Sequence, residues 1–225
     1  MKTNGKKYMK NYLGIKIDTI SRYLEFVPML MRGIFLQSIN LRFTGILLVG
    51  KNTSVFGLRK IHFSGRLVIG KNSTIDARFS KGISFGKNCS VGSSSIIRSS
   101  GSMNFIASKI IIGDNTSFGP FSNIGGGFGV SIGKNNIFGP YCSIHPENRI
   151  YTDQNLDIKE QGIHGVGIVV GENNWFGAKS TVLDGAKIGS NNVIGANSTI
   201  TGKTYGDNSL IKGTPARQYY LKKNH

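Results

Sequence analysis

Large apolar residues recur at every sixth position along much of this chain. In the last third they form one unbroken frame, namely Val170, Phe176, Val182, Ile188, Ile194 and Ile200. A period of six fits neither an α-helix, which repeats every 3.6 residues, nor a flat amphipathic strand, which repeats every two. It indicates a coil with three short strands in each turn and an inward apolar residue on each side.

A short phrase, apolar-Gly-x-Asn, marks the corners of this coil. Its seven copies begin at Val49, Ile69, Phe85, Ile112, Ile132, Val170 and Ile188. We expect Gly and Asn here because both tolerate the positive φ of a sharp turn. Copies without an insertion between them are separated by 16, 18 or 20 residues, about one turn of eighteen. The chain is therefore predicted to be all-β, a parallel β-helix from about Val49 to Ile200.

Small residues are expected to fill the inward positions beside the large apolar ones. These positions hold Cys89, Thr116, Cys142, Ser180, Ala186 and Ser198. Both cysteines of the chain are among them, which predicts buried structural thiols rather than a disulfide or a nucleophile.

The N-terminal segment differs in kind from the repeats. We divide the chain into a basic arm (1–45), a β-helix domain (46–213) with an inserted loop at about 145–167, and a C-terminal tail (214–225). The arm has partly helical apolar spacing. Lys16 and Asp18 argue against a signal peptide, and Pro28 and Arg32 interrupt the one stretch that could resemble a membrane span. Two interpretations stay open, a helical cap over the first coil and a basic segment resting on an anionic membrane surface.

Charge narrows the choice of ligands. The formal net charge is +17, and several lysines are the third residue of the repeat phrase, where we expect a solvated corner. A field of this sign favours polyanionic ligands such as a phosphorylated cofactor, acidic glycans or lipid headgroups. We expect no nucleic-acid partner, because the sequence has no motif of that class.

The six-residue pattern is interrupted in one place, after Ile144, and we expect the chemistry there. The chain leaves the coil at His145 and rejoins it near Gly167, and the only tryptophan, Trp175, follows soon after. Long loops held out of a rigid scaffold are commonly functional.

In this region the sequence resembles the hexapeptide-repeat acyltransferases, in particular the sugar O-acetyltransferases of capsule, lipopolysaccharide and galactoside acetylation. The resemblance covers about Val49 to Arg217, and the C-terminal half is the specific part. It is carried by His145-Pro146-Glu147-Asn148, Ile158-Lys159-Glu160-Gln161-Gly162, Val169 to Ala178, Leu183 to Gly189, Val193 to Thr201 and Lys212 to Arg217. It implies a left-handed β-helix, a homotrimer, and acetyl-coenzyme A in the groove between neighbouring subunits.

The resemblance also implies roles for individual residues. A histidine would remove the proton of a sugar hydroxyl as it attacks the thioester, and the amide of Ala178 would lie near the thioester. Asn123 would reach the acceptor hydroxyl, as asparagines of some relatives do, or would be a plain corner asparagine. The residues expected to contact the cofactor are Trp175, Gly177, Ala178, Ala196, Thr201, Lys203 and Arg217, with Trp175 also forming a wall of the sugar site.

One position departs from the family pattern. Many relatives have Glu-Asn-His where this chain has Glu147-Asn148-Arg149. Three explanations stay open. His145 is the base; or Glu147, His164 or a group of a partner subunit serves; or acetyl transfer is lost and the chain only binds glycan or coenzyme A. Arg149 is always protonated, so it cannot be the base, but it could bind phosphates or an acidic sugar.

The sequence thus predicts a cytoplasmic homotrimeric O-acetyltransferase that transfers an acetyl group from acetyl-coenzyme A to a sugar hydroxyl. The acceptor would be a saccharide, a sugar nucleotide or a lipid-linked glycan in surface polysaccharide biosynthesis. No metal site is expected, because the four histidines, which include His62 and His225, lack paired spacing.

Overall fold

The computed structural model describes residues 12–41, 43–99 and 107–220, with side chains from residue 23 onward. The side chains of the basic residues that precede Tyr23, together with Arg42 and His225, lie outside the described part. One helix, α1 (Tyr12–Ile39), precedes the strands.

Short strands form the three sides of a prism. The first side contains β1 (Gly45–Val49), β4 (Gly65–Ile69), β7 (Cys89–Val91), β10 (Ser117–Phe118), β13 (Ile137–Phe138), β18 (Trp175–Phe176), β21 (Val193–Ile194), β24 (Ser209–Gly213) and β25 (Ala216–Tyr220). The second contains β2 (Ser54–Phe56), β5 (Thr74–Asp76), β8 (Ile96–Arg98), β11 (Asn123–Gly125), β14 (Ser143–His145), β19 (Thr181–Leu183) and β22 (Thr199–Ile200). The third contains β3 (Ile61–Phe63), β6 (Ile83–Phe85), β9 (Ile110–Ile112), β12 (Val130–Ile132), β17 (Ile168–Val170), β20 (Lys187–Ile188) and β23 (Thr204–Tyr205).

Each strand pairs in parallel with the strand one turn away, except that β24 and β25 pair antiparallel. The all-β prediction of a left-handed parallel β-helix with a helical N-terminal arm is confirmed. The predicted C-terminal tail is partly structured, since Ala216–Tyr220 forms the last strand of the first side.

Corner asparagines behave as predicted, but corner glycines do not. The asparagine of every copy of the repeat phrase has positive φ, between 55° and 60°. The glycines of the phrase are absent from the positive-φ residues. They are needed for close approach instead. A Cβ on Gly133, for example, would lie 2.7 Å from the carbonyl oxygen of Gly171 in the next turn.

The interior is a stack of the predicted apolar residues, with small and polar residues beside them. Phe138 stacks on Phe118 at 4.7 Å and on Phe176 at 4.2 Å between ring centroids. The six predicted small inward residues are all buried, and Cys89 and Cys142 are free thiols.

Buried asparagines tie successive turns together. The Asn136 Oδ1 atom accepts hydrogen bonds from the backbone N and Nδ2 of Asn174, at 2.9 and 3.0 Å. Asn174 Oδ1 accepts from Asn192 N at 2.9 Å, and Asn192 Oδ1 accepts from Ser209 N at 2.8 Å. The polar side chains therefore satisfy backbone donors that the turns would otherwise leave unpaired.

The three corners differ in length, and one corner contains nearly all of the irregularity. The first corner, between the first and second sides, has four residues in every turn. The second corner, between the second and third sides, varies from three residues to the 22 residues 146–167. The expected register of eighteen residues therefore occurs only late in the coil, between β17 and β20, β18 and β21, and β19 and β22. The expectation of a single interruption is also wrong, because residues 99–109 separate β8 from β9 at this same corner.

Helix α1 covers the open first turn of the coil. Gly33 lies so close to the carbonyl oxygen of Leu47 that a Cβ would not fit. Arg32 Nη1 donates to the carbonyl oxygen of Val49 at 3.1 Å, and the buried Gln37 accepts from Thr44 N at 3.4 Å. The cap interpretation of the arm is therefore what the packing shows. Within the described residues, no helix is long and apolar enough to cross a membrane.

Candidate active site

The inserted loop, residues 146–167, leaves the coil at the second corner and is anchored to the following turn. Its ends form a hairpin in which β15 (Asn148–Arg149) pairs antiparallel with β16 (Ile163–His164). Asp184 Oδ1 accepts from Gly167 N at 2.8 Å and from Val166 N at 3.0 Å, and Asp184 Oδ2 accepts from Asn148 Nδ2 at 3.3 Å. One carboxylate therefore fixes both ends of the loop.

His145 lies at the start of this loop on the outward face of the second side. It ends β14 and pairs in register with Leu183 of the next turn. The corresponding position one turn earlier is Gly125, which has no side chain to cover the imidazole. Asn123 also points outward from that strand and pairs with Ser143. Asn123 and His145 thus lie on one outward face of adjacent strands, which are about 4.8 Å apart. His145 is two residues farther along its strand than Ser143, the residue that pairs with Asn123.

Burial sets the protonation state of His145. The side chain is half-buried, and this desolvation lowers its pKa, while the negative charge of Glu147 partly opposes the shift. The imidazole is therefore neutral near pH 7 and able to accept a proton. Glu147 is exposed, and its carboxylate lies over Gly127, where a Cβ would collide with it. Gly127 thus makes room for the carboxylate of Glu147.

A cleft of about 420 Å³ opens where the loop rejoins the third side. Lys187 and Lys203 line it, together with Val169, Gly202 and Thr204. Lysines in a concave site suit an anionic ligand. Thr201, which was predicted to contribute backbone atoms, uses them internally, since its N–H donates to Tyr205 Oη at 3.3 Å and its carbonyl accepts from Lys203 N at 2.7 Å.

Four of the remaining predicted cofactor residues lie on the first side or at the first corner. Trp175 is 56% exposed on the first side and pairs with Ile137 and Val193. Gly177 is buried and packs against the backbone of Ala196 in the next turn. Its N–H donates to the carbonyl oxygen of Ile194 at 2.8 Å, so the role of Gly177 in the chain is to let the turns stack.

Ala178 and Ala196 offer backbone donors at this corner. Among the described residues, no acceptor takes the N–H of either alanine. The same corner position in two earlier turns is occupied by Pro120 and Pro140, which have no N–H. Proline is compatible there because the fold does not use that donor. The two alanines therefore have N–H groups that no acceptor within the described chain uses.

The structure thus separates the predicted site residues into two groups within one chain. Asn123, His145, Glu147 and Lys203 lie on the second side or at the second corner. Trp175 and Ala178 lie on the first side and at the first corner, at the other end of the second side.

Three further candidates lie apart from these groups or at their margin. Arg149 and His164 are exposed on the loop hairpin. Arg217 is exposed on β25 at the C-terminal end of the first side. The described part of the chain brings no three His, Cys, Asp or Glu side chains together as a metal site would require.

Two residues at the second corner were not singled out from the sequence. Asp184 lies in the quoted stretch Leu183 to Gly189, but its function as the anchor of the loop depends on a register that sequence alone does not supply. Lys187 had no distinguishing signal among many lysines. Its value comes from facing the same cleft as Lys203.

Comparison with known families agrees with this architecture. A family model described as bacterial transferase hexapeptide (six repeats) matches residues 167–202, and one described as hexapeptide repeat of succinyl-transferase matches residues 67–99. These repeats are those of the hexapeptide-repeat acyltransferases. The predicted enzyme class is confirmed at that level, and the first of the two matches begins where the acyltransferase coil resumes after the inserted loop.

Several solved structures are similar to this chain. A hexapeptide transferase family protein from Anaplasma phagocytophilum is 19% identical, with 78% of this chain and 84% of that chain covered and a TM-score of 0.47. A point mutant of the N-acyltransferase AntD from Bacillus cereus, in complex with dTDP and coenzyme A, is 15% identical, with 84% and 88% covered and a TM-score of 0.49. The polySia-specific acetyltransferase NeuO is 18% identical, with 79% and 76% covered and a TM-score of 0.43. The search of curated proteins gave no match.

Proposed function

We propose that this acyltransferase transfers an acetyl group from acetyl-coenzyme A to a sugar hydroxyl, in the biosynthesis of a surface polysaccharide. One observation carries the proposal. His145 is a neutral, half-buried imidazole on the outward face of the second side, and Asn123 lies on the same face of the neighbouring strand. A hydroxyl with a pKa far above 7 needs such a base to become a nucleophile.

In the proposed reaction, His145 takes the hydroxyl proton as the sugar oxygen attacks the thioester carbonyl. The carbon–oxygen bond forms, the carbon–sulfur bond breaks, and the proton passes from the imidazolium to the departing thiolate of coenzyme A. The oxyanion formed on the way is stabilised by the N–H of Ala178, which has no acceptor within the described chain. Asn123 orients the acceptor, and Glu147 stabilises the imidazolium.

The cofactor would bind where the positive charge and the free donors lie. Lys203 and Lys187 suit the phosphates of acetyl-coenzyme A, and Trp175 offers an exposed flat surface to the pantetheine or the sugar. Arg149, exposed on the hairpin, would bind an acidic group of the acceptor or of the cofactor. Arg217 and Ala196 would contribute from the neighbouring turns.

A site assembled from two subunits accounts for the separation of these residues. Within one chain, His145 and Ala178 lie at opposite corners of the second side. In a cyclic homotrimer, the second corner of one subunit can face the first corner of the next, so that one provides the base and the other the oxyanion donor. We place this trimer in the cytoplasm, where acetyl-coenzyme A is available.

Release of free thiol from acetyl-coenzyme A in the presence of candidate sugars tests the activity. The native chain is compared with His145→Ala and Arg149→His, over a panel of neutral and acidic saccharides. We expect saccharide-dependent release by the native chain and a loss of about 10²-fold or more in His145→Ala. An unchanged rate in His145→Ala would exclude this residue as the base. Activity in Arg149→His alone would mean that the native chain is a binder that has lost catalysis.

Mixed oligomers test the shared site. His145→Ala and Ala178→Pro are each expected to be nearly inactive when produced alone. When the two chains are produced together, some interfaces combine an intact His145 with an intact Ala178, and part of the activity should return. No recovery in verified mixed oligomers would place both groups in one subunit's site and contradict the arrangement.

A further inference from the structure

Helix α1 has a second apolar face that the coil does not cover. Eight of the large apolar residues between positions 23 and 39 are 42% to 69% exposed. Those on the uncovered face are Tyr23, Leu24, Val27, Met31, Ile34, Phe35 and Ile39. At 100° per residue, Leu24, Met31, Phe35 and Ile39 lie opposite Gly33 and Gln37, which pack on the first turn. Tyr23, Val27 and Ile34 extend this exposed face along one flank of the helix. Single exposed apolar residues are ordinary, but a continuous face of this kind indicates a partner.

Positive charge is concentrated in the N-terminal half of the sequence, and its described basic side chains lie toward the same end of the coil as α1. Residues 1–98 contain 17 of the 28 basic residues but only 3 of the 11 acidic ones, which gives a net charge of +14. Residues 99–225, which contain the candidate active site, have a net charge of only +3. Residues 45–98 contain a single acidic residue, Asp76. It is buried and bound to Arg78 at 2.8 Å, so it presents no free negative charge.

The basic side chains of this half are exposed around the first turns of the coil. They are Lys51, Arg59, Lys60, Arg66, Lys71, Arg78, Lys81, Lys87 and Arg98. A second copy docked end to end on this helix face would bring two strongly positive surfaces together, which like-charge repulsion disfavours. An apolar helix face, in turn, has no counterpart on a nucleic-acid backbone. An anionic lipid surface matches both features, since it accepts apolar side chains below its headgroups and attracts basic residues around them.

We propose that α1 lays its uncovered face into the interface of an anionic lipid membrane, with the basic N-terminal half of the coil held against the headgroups. The contact is peripheral, because no helix among the described residues could span the bilayer. This binding is independent of the acetyl-transfer proposal and is measured without any substrate.

Vesicle flotation of the full chain tests the charge requirement. Vesicles of phosphatidylcholine alone are compared with vesicles of two parts phosphatidylcholine to one part phosphatidylglycerol. We expect binding to the anionic vesicles at least about tenfold stronger than to the neutral ones. Salt of about 0.5 M should weaken this preference, because it shortens the screening length to a few ångströms. Equal binding to both vesicles, or no binding to either, overturns the proposal.

A double substitution tests the helix face. Met31→Asp with Phe35→Asp places two charges on the uncovered face, where both residues are more than half exposed, so the packing on the coil stays intact. Leu156→Asp with Ile158→Asp is the matched control, since it makes the same change at exposed positions of the inserted loop.

The helix variant should lose about tenfold or more of its binding to anionic vesicles, and the control should keep most of it. Circular dichroism checks that both fold. Equal losses in the two variants refute the helix face as the contact. A helix variant that binds vesicles like the native chain also refutes it. A helix variant whose only change is a smaller number of subunits in the absence of lipid refutes it as well, because the face would then be a contact between copies of the chain.

Discussion

The backbone N–H of Ala178 offers a direct test of the proposed catalysis, because proline can remove it without altering the fold. The corresponding corner of two earlier turns already contains Pro120 and Pro140. Among the described residues, the Ala178 N–H has no acceptor, so Ala178→Pro breaks no internal hydrogen bond. We expect the free energy of unfolding to change by less than about 1 kcal/mol.

The effect on the rate should be much larger. A donor aimed at a developing oxyanion contributes about 10²- to 10³-fold to kcat, or about 2.7 to 4 kcal/mol of transition-state stabilisation. Acetyl-coenzyme A binding in the ground state should change little, because the interaction strengthens only as charge develops on the carbonyl oxygen. The substitution therefore separates catalysis from both folding and cofactor binding.

The assay is steady-state thiol release with a saccharide acceptor, accompanied by thermal unfolding. Ala178→Gly is the control, since it keeps the N–H and removes only a methyl group. We expect the glycine variant to retain most of the native kcat. The refuting result is an Ala178→Pro variant that melts like the native protein and has a kcat within about twofold of native. The N–H of Ala178 would then not be an oxyanion donor, although no acceptor within the described chain uses it.

Three other predictions test the base, the loop and the core. Because burial lowers the pKa of His145, the acidic limb of the pH profile of kcat/KM should have its midpoint below the usual value of 6.5. Glu147→Gln removes the opposing negative charge and should move that midpoint lower still. A midpoint that does not move would mean that a group other than His145 titrates. Asp184→Ala leaves the N–H groups of Val166 and Gly167 without their acceptor, which should lower the free energy of unfolding by about 1–3 kcal/mol. Limited proteolysis should then cut the inserted loop faster than in the native chain. An unchanged cleavage rate would contradict the anchoring role of Asp184. Phe176→Ala removes a fully buried ring that stacks at 4.2 Å on Phe138, and it should lower the free energy of unfolding, measured in urea, by about 3–5 kcal/mol. Trp175→Ala, at the exposed preceding position, should lower it far less. Similar losses in the two variants would contradict the placement of Phe176 in the stacked interior and Trp175 outside it.

The fold could be predicted because its repeat unit is local. Each turn contacts its neighbours in the same way, so an inward residue such as Val182 and a corner residue such as Asn191 are dictated by their own few positions in the repeat. The explanation for the glycines was wrong for a related reason. The constraint on Gly133 is the carbonyl oxygen of Gly171 one turn away, and a contact between turns is not visible in the local conformation that a sequence pattern describes.

The site was predictable only as a set of residues. The interruption after Ile144 and the resemblance to a family pointed to His145, Ala178 and Lys203. The role of Asp184 depends on a register between turns that are separated by an insertion of unpredictable length. For the same reason, the sequence did not show that residues 99–109 and the inserted loop both lie at the second corner.

The sequence by itself determined the prism, its inward residues and the asparagine corners. A six-residue period shows which side chains face the core, and this does not depend on which turns become neighbours. Only the tertiary structure decided which corner carries the loops, that His145 and Ala178 lie at opposite corners of one chain, and that a capping helix leaves an apolar face uncovered. These are distances between residues in different turns or elements. They depend on how the turns stack and on what each residue is buried against. The order of residues along the chain does not show which residues come into contact.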